Sequence, residues 1–175
     1  WRLGNHQKAA EALAKEEGRL DLNVEYHVLR GMVFRRLTNG KPQALVAYRR
    51  ALELDPSNKS WNENLLALYL RNVQGTKNET SELTDYISIC KKVAEKHGYH
   101  EPLYRNLEIF LQHALTLASH ENQPATQNEL EKFYYGAIEA DKANPTWQNN
   151  LAWYYVERKI KPTKALTLAR NAVKL

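Results

Sequence analysis

Cysteine is nearly absent from this chain. Of 175 residues, only Cys90 carries a thiol. A single thiol excludes a disulfide within the chain and any metal site built on several cysteines. Cys90 lies in DYISICKKVAEKHG, on the apolar stripe of an expected helix, and reads as a small buried hydrophobe. Glycine and proline are sparse too, at 7 and 6 residues, which argues against a sheet-and-turn protein. No apolar run approaches the ~20 residues that a helix needs to cross a bilayer. No signal peptide opens the chain. Excess charge is modest: the net charge is +5, and basic runs are no longer than pairs such as Arg35-Arg36, Arg49-Arg50 and Lys91-Lys92. Such a balance permits an acidic partner without demanding nucleic acid.

Signatures of chemistry are missing as well. There is no glycine-rich phosphate loop, nucleophile elbow or HExxH. His6, His27, His97, His100, His113 and His120 are scattered. His97 and His100 stand three apart but straddle Gly98, and no acidic or cysteine partners cluster with them, so no metal site is expected. The expectation is a chain without metal or cofactor that is not an enzyme. Basic residues, including those of RRLTNGK, alternate with Glu and Asp, and no basic-and-aromatic stripe forms, which argues against nucleic acid. The glycosylation-like triplets at Asn58 and Asn78 are near chance in an Asn-rich chain and carry no argument.

What is present is helical periodicity. Helix formers dominate, and 43% hydrophobic with 26% charged residues describes a folded chain rather than a disordered one. HQKAAEALAKEEG reads as a helix ending at Gly18, and NVEYHVLRGMVFRRLTNG as a second stopped by Asn39-Gly40. In KPQALVAYRRALELDPSN, Pro42 suits a first turn, Ala44, Tyr48 and Ala51 share a face, and Asp55-Pro56 ends the helix. Further helices are expected at 59–73, 80–97, 101–118, 125–141, 146–158 and 162–174. Short breakers between them predict antiparallel hairpins, and hairpins in a shared register stack into a solenoid. The chain begins at Trp1 rather than Met and stops at NAVKL within a helical pattern, so a fragment of a longer protein is expected, forming one domain over 1–175. We expect it to be soluble, in cytoplasm or periplasm.

One phrase is written twice. SWNENLLALYL (60–70) and TWQNNLAWYYV (146–156) share Trp, Asn-Leu and Tyr at equal spacing. Two residue sets lining one catalytic site would explain this, and so would one packing unit repeated. The wider register favours repetition: Asn64-Leu65, Asn106-Leu107 and Asn150-Leu151 recur 42 and 44 residues apart. Each such Asn is expected to bond to nearby backbone.

VLRGMVFRRLTNGKPQALVAYRRALELDPSN resembles the tetratricopeptide repeat, a helix pair of about 34 residues with small and aromatic signature positions. Gly31 takes the small position of the first helix, with Phe34 a turn on; Ala44, Tyr48, Ala51 and Pro56 take those of the second. In the same register Leu65 and Tyr69, then Leu151, Ala152 and Tyr155, point inward, and Ala165, Ala169 and Ala172 repeat the pattern of Ala44, Tyr48 and Ala51. Ala9 and Leu13 mark a preceding half repeat; Glu108 stands where the family has a small residue, so looser packing is expected there. The resemblance covers most of the chain and is specific over about half of it. It implies an all-α, right-handed α-solenoid of about four repeats plus a half.

It also implies a function: a scaffold or interaction module that holds a peptide or partner helix in a concave groove. The outward first-helix positions are Met32, Arg35 and Arg36; Glu63, Ala67 and Arg71; Arg105, Ile109 and His113; and Asn149, Trp153 and Glu157. Of these, Met32, Arg35, Arg36, Arg71, Arg105, Ile109, His113, Asn149 and Trp153 are the expected binding residues. Arginines with large apolar groups suit an acidic or amphipathic peptide. The Lys and Asn set of a carboxylate-clamping co-chaperone is not intact, so no chaperone binding is expected. Two alternatives remain: a docking or regulatory arm of a larger enzyme, and self-association through repeat ends.

Overall fold

The computed structural model describes residues 4–175 apart from Val73. The described residues are all-α, with nine helices and no strand: α1 (Gly4–Lys15), α2 (Val24–Phe34), α3 (Lys41–Leu54), α4 (Lys59–Asn72), α5 (Glu79–His97), α6 (Glu101–Leu117), α7 (Gln123–Ala140), α8 (Pro145–Glu157) and α9 (Pro162–Lys174). The expected helices match these closely; the last residue expected of the fourth, Val73, lies outside the described residues. The chain divides into two compact units, Trp1–Phe110 and Leu111–Leu175, the boundary falling within α6.

Helix ends follow local chemistry. Asn23 caps α2, its side-chain oxygen accepting the Tyr26 N–H at 2.7 Å. Gly98, at φ 80°, ends α5 in a conformation that a Cβ would resist. Two ends differ from expectation. The first helix stops at Lys15 rather than Gly18, because Glu16 and Glu17 bond three residues back, to Leu13 and Ala14. The second stops at Phe34 rather than at Asn39-Gly40. There Arg36 and Leu37 bond three residues back, to Val33 and Phe34, tightening the chain into a turn.

In unit one, α2 and α3 pack along each other. Ala44 and Ala51 are completely buried, and the Tyr48 ring lies against Gly31. Beyond them Tyr69, Tyr86 and Phe110 form an aromatic cluster. Tyr69 meets Tyr86 edge-on at 5.1 Å and Phe110 at 5.2 Å, an arrangement favoured by the ring quadrupoles. Buried asparagines stitch the unit: Asn106 Nδ2 donates to the Asn62 carbonyl at 2.8 Å, and Asn62 Nδ2 to those of Asn58 and Pro56 at 3.0 and 3.2 Å. Asn64 instead bonds within its own helix, to the Ser60 carbonyl at 2.9 Å. Glu108 is buried as well. Cys90 is buried too, and burial pushes its thiol up to about 12, so it packs as a hydrophobe.

In unit two, Leu130, Tyr134 and Ala137 of α7 face the buried side of α8: Trp147, Leu151, Tyr154 and Tyr155. Gln112 Nε2 donates to the Tyr134 hydroxyl at 2.8 Å. The α8–α9 pair matches α2–α3 in the extent of its packing.

Candidate functional site

Unit two carries an open cavity of about 560 Å³ between α8 and α9. Its first wall is set by how α8 begins. The Asn144 side-chain oxygen accepts the Thr146 N–H at 3.0 Å, and Pro145 fills the first helical position. Trp147 is then driven inward, meeting Phe133 edge-on at 5.9 Å. With that face fixed, the helical period brings Asn149, Ala152, Trp153 and Val156 onto one stripe, and these line the cavity. From α9, Ala165, Leu166 and Ala169 form the facing wall. The walls are apolar yet open: Trp153 is 59% exposed, Val156 58% and Leu166 52%.

The cavity has a specific origin in side-chain size. In the register shared by the two helix pairs, Ala152 matches Gly31 and Ala169 matches Tyr48. In α2–α3 the glycine admits a whole phenol ring. In α8–α9 both matching positions are alanine, and both line the cavity.

The turn at its edge is strained and charged. Lys159 and Lys161 both adopt left-handed backbone, at φ 55° and 47°. Lys161 is held there by Glu131, whose two carboxylate oxygens lie 2.5 and 2.6 Å from its Nζ, and by the Tyr155 ring, 5.3 Å below the ammonium. The Tyr155 hydroxyl shares a hydrogen bond with Tyr135 at 3.3 Å. Burial, that bond and the Glu131 charge all raise its pKa, so it stays neutral at physiological pH. Among the described residues no three His, Cys, Asp or Glu side chains converge to hold a metal. The arrangement offers apolar contact, an indole and cations.

Of the expected binding residues, the structure brings Asn149 and Trp153 together on this cavity. The other seven are not gathered around it. Met32 and Ile109 are exposed, as are Arg36 and Arg71. Arg35 and Arg36 follow the end of α2, so they belong to a turn rather than to a helix face. Arg35 is half-buried, and its charge opposes the rise that burial imposes on the Tyr48 hydroxyl. Arg105 is engaged within its own helix, Nη2 lying 2.8 Å from Glu101. His113 is half-buried. Among the lining residues that sequence reasoning missed are Val156, Leu166 and Ala169. Their signal was legible: an alanine standing at the tyrosine position of an otherwise matching register.

Comparison with known protein families, curated proteins and solved structures finds no match to this chain.

Proposed function

We propose that this chain is a protein-interaction module of tetratricopeptide-like helix hairpins, stacked as a right-handed solenoid, that acts by binding a peptide or partner helix rather than by catalysis. The hairpin reading is supported by two helix pairs with small residues in matching register: Gly31, Ala44 and Ala51 in one, Ala152 and Ala165 in the other, all buried. The contact positions it assigns are Met32, Arg35, Arg36, Arg71, Arg105 and Ile109 in unit one, and His113, Asn149 and Trp153 in unit two. The observation carrying the functional reading is the last pair. Two residues that the repeat resemblance makes ligand-facing lie on an open apolar cavity with a half-exposed indole.

Selection of displayed proteome fragments on the protein tests this. A recurrent fragment should bind the wild type, shift its tryptophan emission to the blue, and lose affinity against Trp153→Ala or the Arg35→Glu/Arg71→Glu/Arg105→Glu variant. Failure to enrich any fragment above an unfolded control would sink the reading.

A further inference from the structure

The net charge of the chain is concentrated at one end. Residues 158–175 contain Arg158, Lys159, Lys161, Lys164, Arg170 and Lys174 and no Asp or Glu, while the preceding residues set the other 19 cations against all 20 carboxylates. Lys161 is engaged by Glu131. Among the described residues no carboxylate lies within ion-pair distance of the other five. The nearest carboxylate along the chain, Glu157, is exposed at the end of α8, one turn beyond Trp153.

Among the described residues, nothing covers the apolar surface that these cations flank. Along α9, Pro162, Leu166, Ala169 and Val173 recur every three or four residues as one stripe, with Arg170 and Lys174 beside it. Of this helix only Ala165 is buried, and Val173 is 87% exposed. The stripe continues into the cavity walls of Trp153 and Val156. A hydrophobic concavity edged by unpaired cations is a complementary mould for an anion-bearing amphipathic surface.

We propose that the α8–α9 cavity docks an acidic amphipathic helix of a partner protein. Its apolar stripe seats against Trp153, Val156 and Leu166, and its carboxylates face Lys159, Arg170 and Lys174. The inference rests on the reading of the chain as an interaction module and narrows the class of partner. Charge disfavours a second copy: two-fold pairing of this face with itself sets cations against cations. Shape disfavours a lipid surface, which offers no side chain to enter a concavity.

The test is a displayed library of helical peptides, screened against the complete gene product. Enriched peptides should carry Glu or Asp on one face and large apolar residues at i, i+3, i+4 and i+7 on the other. A representative peptide should weaken as salt is raised. It should lose about tenfold or more in affinity to Ala169→Tyr, which refills the cavity as Tyr48 does in α3, and to Arg170→Glu/Lys174→Glu. Trp153→Ala, at an exposed position, gives the same readout should Ala169→Tyr disturb folding. Peptides sensitive to Ala169→Tyr but without acidic bias overturn the charge assignment. Binders indifferent to these variants but lost on Arg35→Glu/Arg71→Glu/Arg105→Glu overturn the site, while the module reading stands. No enrichment overturns both. A dimer in sedimentation that Ala169→Tyr dissociates, or co-sedimentation with phosphatidylserine vesicles without peptide binding, overturns the proposal in favour of those occupants.

Discussion

Replacing glycine by alanine should have opposite signs at two helical sites of this protein. Gly31 lies within α2 and Gly136 within α7. At both, alanine gains about 1 kcal/mol of helix propensity. A Cβ on Gly136 meets nothing within 4 Å, so the gain stands alone and Gly136→Ala should stabilise by about 0.5–1 kcal/mol. A Cβ on Gly31 would stand 2.9 Å from two ring carbons of Tyr48 and 3.0 Å from a third. Tyr48 is 1% exposed, with Ala44 and Ala51 of the same face fully buried, so any shift of its ring has to be taken up within the core. Overpacking of this kind costs about 1–3 kcal/mol and exceeds the propensity gain. The net expectation for Gly31→Ala is a loss of about 1–2 kcal/mol. Hydrogen exchange read by mass spectrometry reports α2–α3 and α7 separately, so the test does not depend on a single cooperative transition. The decisive arm is a double-mutant cycle. With Tyr48→Ala in place, the clash is gone and Gly31→Ala should turn stabilising, reproducing the Ala152–Ala169 pairing of α8–α9. If Gly31→Ala stabilises as much as Gly136→Ala, or keeps its sign once Tyr48 is removed, the size-complementarity argument fails, and with it the account of how the cavity arises.

Three further outcomes follow from the same structure. Gly40→Ala would place a Cβ over the Phe34 carbonyl oxygen and 2.7 Å from its carbon, so backbone must move; the urea midpoint should fall by the equivalent of about 1–3 kcal/mol, whereas Asn39→Ala, at an exposed turn position, should leave it nearly unchanged. Asn106→Ala removes the buried bond to the Asn62 carbonyl and should cost about 1–2 kcal/mol, while Asn64→Ala, which loses only a local exposed bond, should cost little; equal losses at both positions would refute the assignment of the cross-helix bond as the structural one. Stability should also fall at alkaline pH. Burial raises the Cys90 thiol from 9.0 to about 12, and burial also raises the Tyr69 and Tyr86 hydroxyls, so the fold favours their neutral forms. The stabilisation is whole below pH 9, where the unfolded thiol is still protonated, and is lost as pH rises from there through the folded values. Cys90→Ala should delay the onset, leaving the tyrosine portion that starts near pH 10. A urea midpoint that stays flat to about pH 11 would contradict these burial-raised values.

Helix positions were legible because each is punctuated by a residue with one physical job: Pro42 and Pro145 at first turns, Gly98 at a left-handed cap, Asp55-Pro56 as a stop. Sequence marks failed where two structures satisfy the same signal. Gly18 and Asn39-Gly40 are good terminators, but three-residue hydrogen bonds had already closed α1 and α2 upstream of them, leaving Arg35 and Arg36 on a turn. The candidate site was half legible for a different reason. Periodicity tells which face of a helix a residue occupies, and the resemblance to the tetratricopeptide repeat implies which face lines a groove, so Asn149 and Trp153 could be chosen. It does not tell whether the facing helix fills the space, which depends on the volumes of residues distant in sequence: Gly31 with Tyr48, Ala152 with Ala169. A register comparison tuned to similarity scores Tyr and Ala as two acceptable small-or-aromatic fits. Packing scores them as a filled gap and an open one. The charge pattern is likewise invisible to a search for runs. The last eighteen residues contain no run of adjacent cations beyond Arg158-Lys159, yet they contain no anion either, and net field depends on the missing partners rather than on adjacency. The difference between the two helix pairs is what bears on the cavity, because a position with the same residue in both is already accounted for by packing.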